Sequence, residues 1–464
     1  MTQPIQFPGE DRSNAARAQL TSGEPLALRT FTPTQAVFAK SAGTFHFTPE
    51  GRRLYDFSSG VLVSNLGHNP RRWMQRFARY MGWKPEHITG EGTGEFFEAV
   101  TLTAYNAMTE LEAQAVARLL QSVQATPHGR QLDSVLWAAS GSEAVQKALW
   151  ACLRRDESRD IIVATRYGFH GKKGLAGACT GSEKDRDRDP RVKFISFPME
   201  EIDDVSRAPG EFHAQRYADE LDSLWTSLGK RINCLITEPY IGGGGSYHPP
   251  SAYLQLLQQW CRAHDVLFVL DEVQSNFGRT GRMYAFEKHG IAPDFVCLGK
   301  GLGNGVPVNA AVGRSDVLAK LSYGEGSDTW SASPMGCAAV LATLDEFADG
   351  QVLEQTGKLS AIFQAGLVRL KETGLIAKVR GEGMVFGIEC AAAGKLQPGE
   401  VANAIVKACY LGRDGKGDGI HLLGPLAGKV IRIAPPMTMT DAEARQSLDL
   451  LFDSISSLAR QLAG

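Results

Sequence analysis

The chain has 464 residues, 43% hydrophobic and 22% charged, enough for a large buried core with a smaller companion. A formal net charge of −2 offers no basic surface to nucleic acid or to an anionic membrane. No apolar run approaches the roughly 18 residues of a membrane span, and the N-terminus lacks the basic start and apolar middle of a secretory signal. The eight cysteines are scattered, with no Cys-x-x-Cys pair, which predicts reduced thiols in a cytoplasmic protein. No His/Asp cluster has the spacing of a metal site, so no metal is expected.

The first thirty or so residues are polar and read as an arm or short helices against the body. From Gly43 to Phe57 apolar and polar residues alternate around Pro49-Glu50-Gly51, the pattern of a hairpin. A glycine-punctuated segment, Ser58 to Pro70, then leads into a helix. Between about 95 and 340 helical periodicity alternates with strand-like runs, the signature of stacked βαβ units. The runs begin at Ser134, Asp160, Val192, Ile232, Val266, Phe295 and Val308. The charged run from Glu183 to Asp189 reads as a solvated loop. Beyond 340 a long helical pattern precedes strands at Met384–Glu389 and Lys429–Ile433, and Thr440-Asp-Ala-Glu443 is a capping box opening a final amphipathic helix. This predicts an α/β protein with a large domain over residues 76–340. An arm and hairpin over 1–75 join a C-terminal α+β domain over 341–464.

Two residues stand out chemically. Lys300 lies in Phe295-Val-Cys-Leu-Gly-Lys-Gly-Leu-Gly-Asn-Gly-Val-Pro, and Asp271 ends the apolar run Val266–Leu270. Both follow buried strands, so both stand at the carboxyl edge of one parallel sheet, where open α/β folds hold ligands. A lysine among glycines with no neighbouring acid suits an amine held for a Schiff base, and a strand-end acid suits a protonated pyridine nitrogen. The pair points to pyridoxal 5'-phosphate. Asp271 is also consistent with a metal ligand or a cap, and Lys300 with a surface amine. Ser140-Gly141-Ser142-Glu143 follows a strand and opens a helix, which suits a phosphate or a plain N-cap. Tyr167, in Tyr167-Gly-Phe-His170-Gly171, ends the next strand and could stack on a flat ring or simply pack. Gly301-x-Gly303-x-Gly305 precedes a strand rather than a helix, and Lys300 has no following Ser or Thr. Neither a dinucleotide loop nor a P-loop fits.

The segments Leu270-Asp-Glu-Val-Gln-Ser-Asn-Phe-Gly-Arg-Thr-Gly, Pro293-Asp and Gly299-Lys-Gly-Leu-Gly-Asn-Gly-Val-Pro together resemble the class III aminotransferases of the fold-type I pyridoxal phosphate enzymes. The resemblance runs from about residue 35 to the end. It implies a mostly parallel seven-stranded sheet sandwiched by helices plus a smaller α+β domain, and a homodimer with active sites at the subunit interface. It also implies roles: Lys300 holds the cofactor as a Schiff base, Asp271 pairs with the ring nitrogen, Val273 packs behind the ring, and Gln274 bonds the phenolic oxygen. Gly141 and Ser142 form the phosphate cup, Tyr167 stacks on the ring with His170 nearby, and Thr329 reaches the phosphate of the neighbouring subunit. Arg432, in Val430-Ile-Arg-Ile-Ala-Pro-Pro, clamps the substrate carboxylate.

One departure stands out. Relatives that use 2-oxoglutarate often read Glu-Pro-x-Gln-x-Glu-Gly-Gly, whereas this chain reads Glu238-Pro-Tyr-Ile-Gly-Gly-Gly-Gly, with Ile241 and Gly243 at the two changed positions. Glu238 is kept and counts among the cofactor-binding residues. The gate glutamate is missing, as in amine–pyruvate enzymes. The implied reaction is a ping-pong transfer from an amine or ω-amino acid to pyruvate or 2-oxoglutarate. The same cofactor also serves racemases or epimerases, decarboxylases and phospho-lyases, and a non-catalytic cofactor-binding regulator is a remoter reading.

Overall fold

The structure, a computed structural model, describes residues 4–28, 30–90, 94–186, 188–201, 204–208, 210–348, 351–413 and 415–463. The arm is helical over Asp11–Gly23 and is pinned at Glu10, whose carboxylate receives Arg17 at 2.8 Å, Arg52 at 3.1 Å and the Tyr410 hydroxyl at 2.9 Å. Strands β1 (Lys40–Ala42), β2 (Phe45–Phe47) and β3 (Arg53–Asp56) form the expected hairpin with one further edge strand. The charged run is exposed from Glu183 to Arg186 and half-buried at Arg188 and Asp189; its Asp187 lies outside the described residues.

All seven predicted runs are strands of one sheet: β4 (Ser134–Ala138), β5 (Ile161–Thr165), β6 (Val192–Ile195), β7 (Ile232–Thr237), β8 (Leu267–Asp271), β9 (Phe295–Leu298) and β10 (Asn309–Gly313). Their order is β4-β10-β9-β8-β7-β5-β6, and β10 alone runs antiparallel to its neighbours. The runs are continuous rather than alternating because both faces are covered. In β8, Phe268 and Leu270 enter one core while Leu267 and Val269 enter the other. Helix Gly141–Arg155 seals the second face with Ala144, Val145, Ala148 and Cys152. Helices Glu110–Val123, Ser251–Ala263 and Pro334–Ala348 seal the first.

The C-terminal part adds β11 (Ile376–Glu382), β12 (Val385–Cys390), β13 (Gly419–His421) and β14 (Val430–Ile433). Strands β11, β12 and β14 form a small antiparallel sheet, and β13 pairs in parallel with β3. Strand β11 escapes sequence reading because a register shift between Ile376 and Lys378 breaks its alternation. Strands β1 and β13 have three residues each, too few for a periodic signal. The final helix, Asp441–Ala463, opens on the predicted box: Glu443 N donates to Thr440 Oγ1 and Thr440 N donates to Glu443 Oε2.

Arg279, fully buried in the loop after β8, binds the three regions together. Its guanidinium donates to the carbonyls of Met384 (2.9 Å) and Pro435 (2.7 Å) and to Asn65 Oδ1 (2.6 Å). Arg279→Met keeps the bulk but strands three buried acceptors, each worth about 1–3 kcal/mol. The variant should lose roughly 3 kcal/mol or more of stability, measured as a lower urea midpoint.

Candidate active site

The carboxyl ends of β4, β5, β7, β8 and β9 converge on one rim, where a cavity of about 650 Å³ opens. Its wall holds Gly141 and Ser142 after β4, His170 after β5, and Glu238 after β7. Asp271, Val273 and Gln274 follow from the end of β8, and Lys300 from β9. Asn309 joins them from the start of β10, which reaches the same rim because that strand is reversed.

Asp271 is 4% exposed, and two donors meet it: Val273 N at 3.0 Å on Oδ1, and His170 Nδ1 2.8 Å from Oδ2. The other imidazole nitrogen, Nε2, is buried with no hydrogen-bond partner. Lys300 adopts φ 48°, an uncommon left-handed conformation for a side-chain-bearing residue. Strain of this kind, of order 1–3 kcal/mol, collects at functional sites. Gly299 precedes it because a Cβ there would come within 2.0 Å of Asn309 Oδ1. Burial pushes the Lys300 amine below the usual lysine range, with Asp271 opposing and Arg432 assisting. A lowered amine is the form that attacks a carbonyl.

Burial likewise pushes Glu238 up to about 7, against the opposing field of His170 and the two backbone N–H groups it accepts, Phe169 N and Gly242 N. Gln274 places its amide oxygen between the Tyr240 hydroxyl (3.0 Å) and Arg432 Nη1 (3.1 Å). Arg432 is buried on β14, its Nε is unpartnered, and burial pulls the guanidinium below its ordinary range.

At the mouth of helix Gly141–Arg155, Ser140 and Glu143 complete a reciprocal capping box. The cap occupies the Ser140 hydroxyl, and the N–H groups of Gly141 and Ser142 precede the helical ladder and remain available to an anion. A Cβ at Gly141 would press on Val273 Cγ1 at 3.0 Å, and one on Gly171 would strike Ser142 Oγ at 2.2 Å. Backbone, rather than side chain, therefore forms this end of the cavity.

Two expected residues stand elsewhere. Tyr167 is half exposed at φ 68° and does not line the cavity; the turn it starts brings Phe169 to the wall instead. Thr329 is exposed and does not line the cavity of its own chain. Arg432 reaches the wall only through Gln274. Phe169, Tyr240 and Asn309 went unread. The first was legible as the aromatic directly before His170, while the other two required the fold.

A lysine and a buried acid sharing one cavity on the carboxyl rim of a seven-stranded sheet in this order match the fold-type I architecture of pyridoxal phosphate enzymes. Comparison with known proteins agrees. The family model "Aminotransferase class-III" matches residues 93–455. An acetylornithine aminotransferase of Methanothermobacter thermautotrophicus is 28% identical over 433 residues, covering 93% of this chain and 96% of the relative. A 4-aminobutyrate aminotransferase of Mycobacterium leprae is 27% identical, covering 89% of each. Among solved structures, the ornithine aminotransferase of Toxoplasma gondii superimposes with TM-score 0.77 at 22% identity, over 98% of this chain and 97% of that one. The chain belongs to the class III aminotransferases and is a pyridoxal phosphate-dependent transaminase. The relatives favour amine transfer over racemisation, decarboxylation, phosphate elimination or a regulatory module.

The residues present fit that cofactor. Asp271 is a buried acid whose two contacts leave room for a cationic partner. The helix mouth is built from backbone, and the amine of Lys300 forms no ion pair among the described residues.

Glu238 makes stability depend on pH. Its folded pKa lies above its free value, so its contribution is complete below about 4.5 and is lost as pH rises through about 7. Glu238→Gln keeps the acceptor for Phe169 N. In the cofactor-free protein it should flatten the stability decline over that window by on the order of 3 kcal/mol, read from denaturant midpoints at each pH.

Proposed function

We propose that this transaminase moves an amino group from an amine or ω-amino acid donor to a keto acid, pyruvate or 2-oxoglutarate, by a ping-pong sequence in which Lys300 and Asp271 carry the chemistry. The observation that carries the reading is the half-buried amine of Lys300, without an ion pair among the described residues, sharing one cavity with the buried carboxylate of Asp271.

Bound there, pyridoxal phosphate supplies an aldehyde that accepts the amine and a ring that stores an electron pair. The chain does the rest. Asp271, held by Val273 N and His170, keeps a proton on the ring nitrogen. Lys300 Nζ, its amine pushed below the usual lysine range, would serve as the base that takes up and gives back the substrate's proton. Gly141 and Ser142 would hold the phosphate on backbone N–H groups, with Val273 and Phe169, which line the same cavity, as the apolar contacts for the ring. Thr329 reaches the phosphate site of a second copy. A homodimer is supported by the exposed apolar side chains Phe96, Met108, Tyr323 and Trp330. A cytoplasmic location is supported by eight free, buried cysteines. The domain reading, 76–340 flanked by 1–75 and 341–464, is supported by β3–β13 pairing.

Arg432 binds the keto acid's carboxylate. Its present partner is the amide oxygen of Gln274, a neutral acceptor, and Gly243 leaves no charge at the gate position. An incoming carboxylate outcompetes an amide for a guanidinium. The relatives' names supply the donor class: acetylornithine, 4-aminobutyrate and ornithine each carry a primary amine remote from a carboxylate.

Lys300→Ala should lower keto-acid-dependent turnover by about 10²–10⁴-fold or more. The bound cofactor should also lose its visible absorbance; unchanged turnover would refute the assignment. Arg432→Ala should raise KM for keto acids by about 10–100-fold while moving KM for simple amines little. An equal effect on both would place the carboxylate clamp elsewhere.

A further inference from the structure

Away from the cofactor cavity, three residues distant in sequence converge. His46 lies on β2, Asp56 ends β3, and His68 is brought in by the bridge between Gly43 and His68. Their ligand atoms all lie within 4.8 Å of one another. His68 Nε2 is 2.7 Å from Asp56 Oδ2, and His46 Nε2 is 3.5 Å from the same oxygen. Tetrahedral zinc, with bonds of about 2.0–2.2 Å, spaces its ligands roughly 3.3 Å apart, between those two distances. We propose that His46, His68 and Asp56 form a site for a divalent transition metal of the zinc class, separate from the cofactor.

The supporting shell is already in place. Metal-binding imidazoles almost always engage their second nitrogen. Here Ser41 Oγ lies 2.7 Å from His46 Nδ1, while Phe38 stacks on the ring at 3.8 Å. Asp56 Oδ1 accepts from Ser58 N (2.7 Å), the Ser58 hydroxyl (2.7 Å) and Ser59 N (3.0 Å), which leaves Oδ2 to face the two imidazoles, with His68 Nε2 at hydrogen-bond distance. Asp56 is completely buried, and its ion-pair partners among the described residues are the two imidazoles. When His46 Nδ1–H donates to Ser41, Nε2 presents a lone pair toward a carboxylate oxygen. That atom is buried and makes no hydrogen bond. Two electron-rich atoms facing each other in a buried place call for a cation between them. His421, opposite Asp56 on β13, adds a third imidazole nearby, its Nδ1 buried and unpartnered. The partly exposed His68 gives a route in.

The site would brace a strained turn. Asp56 anchors Ser58 and Ser59, after which Ser59, Gly60, Val61 and Leu62 all adopt left-handed φ values of 47°, 59°, 67° and 62°. Leu62 packs on Tyr240, which in turn bonds Gln274 in the active-site wall.

The test uses untagged holoenzyme, stripped with a chelator and titrated with Co²⁺. We expect one Co²⁺ per chain with a visible ligand-field band, displaced by Zn²⁺. His46→Gln and Asp56→Asn should abolish the band while the cofactor absorbance persists. Ser41→Ala, which alters only the positioning bond, should weaken cobalt binding about 10–100-fold. If Asp56→Asn fails to hold cofactor, His46→Gln decides. A wild-type protein with no stoichiometric band, or a band that survives in His46→Gln, overturns the site and leaves a metal-free hydrogen-bonded cluster.

Discussion

A carboxylate at the end of an apolar strand is the constraint around which this protein is arranged. Asp271 cannot sit at the end of β8 as a bare anion, because burial without compensation costs several kcal/mol. Its neighbours are accordingly donors, the backbone of Val273 and the imidazole of His170. The rim around it is built in the same spirit. The parallel strands deliver their carboxyl ends to one side, and the reversed β10 delivers its beginning there, so six strands feed one cavity.

Burial also sets the protonation balance of the site. It pushes the Lys300 amine below the usual lysine range and Glu238 up to about 7, while Arg432 lies behind the amide of Gln274. A substrate that brings a carboxylate and an amine meets groups already held in place, as expected of a preorganised site.

The sheet and its two chemical residues were legible in the sequence because their signals are local. A strand buried on both faces is a short apolar run, and Lys300 and Asp271 each follow one directly. Signals spread over several residues of irregular backbone were harder. The turn after β5 contains a left-handed Tyr167, and it is Phe169, two residues on, that lines the cavity. Asn309 was hidden because nothing local marks β10 as reversed. The histidines at 46 and 68 and the acid at 56 have no ligand-like spacing; only the hairpin and a bridge bring them together.

The parallel pairing of β3 with β13 joins positions 56 and 421, nearly opposite ends of the chain. On the ribosome β3 emerges early, yet its partner follows only on the order of tens of seconds later at ordinary elongation rates. Until then one edge of the hairpin sheet is an unpaired template for other strands. The central sheet, whose strands all lie between 134 and 313, can assemble during that wait. Nascent chains should therefore expose that edge from the emergence of β3 until β13 follows.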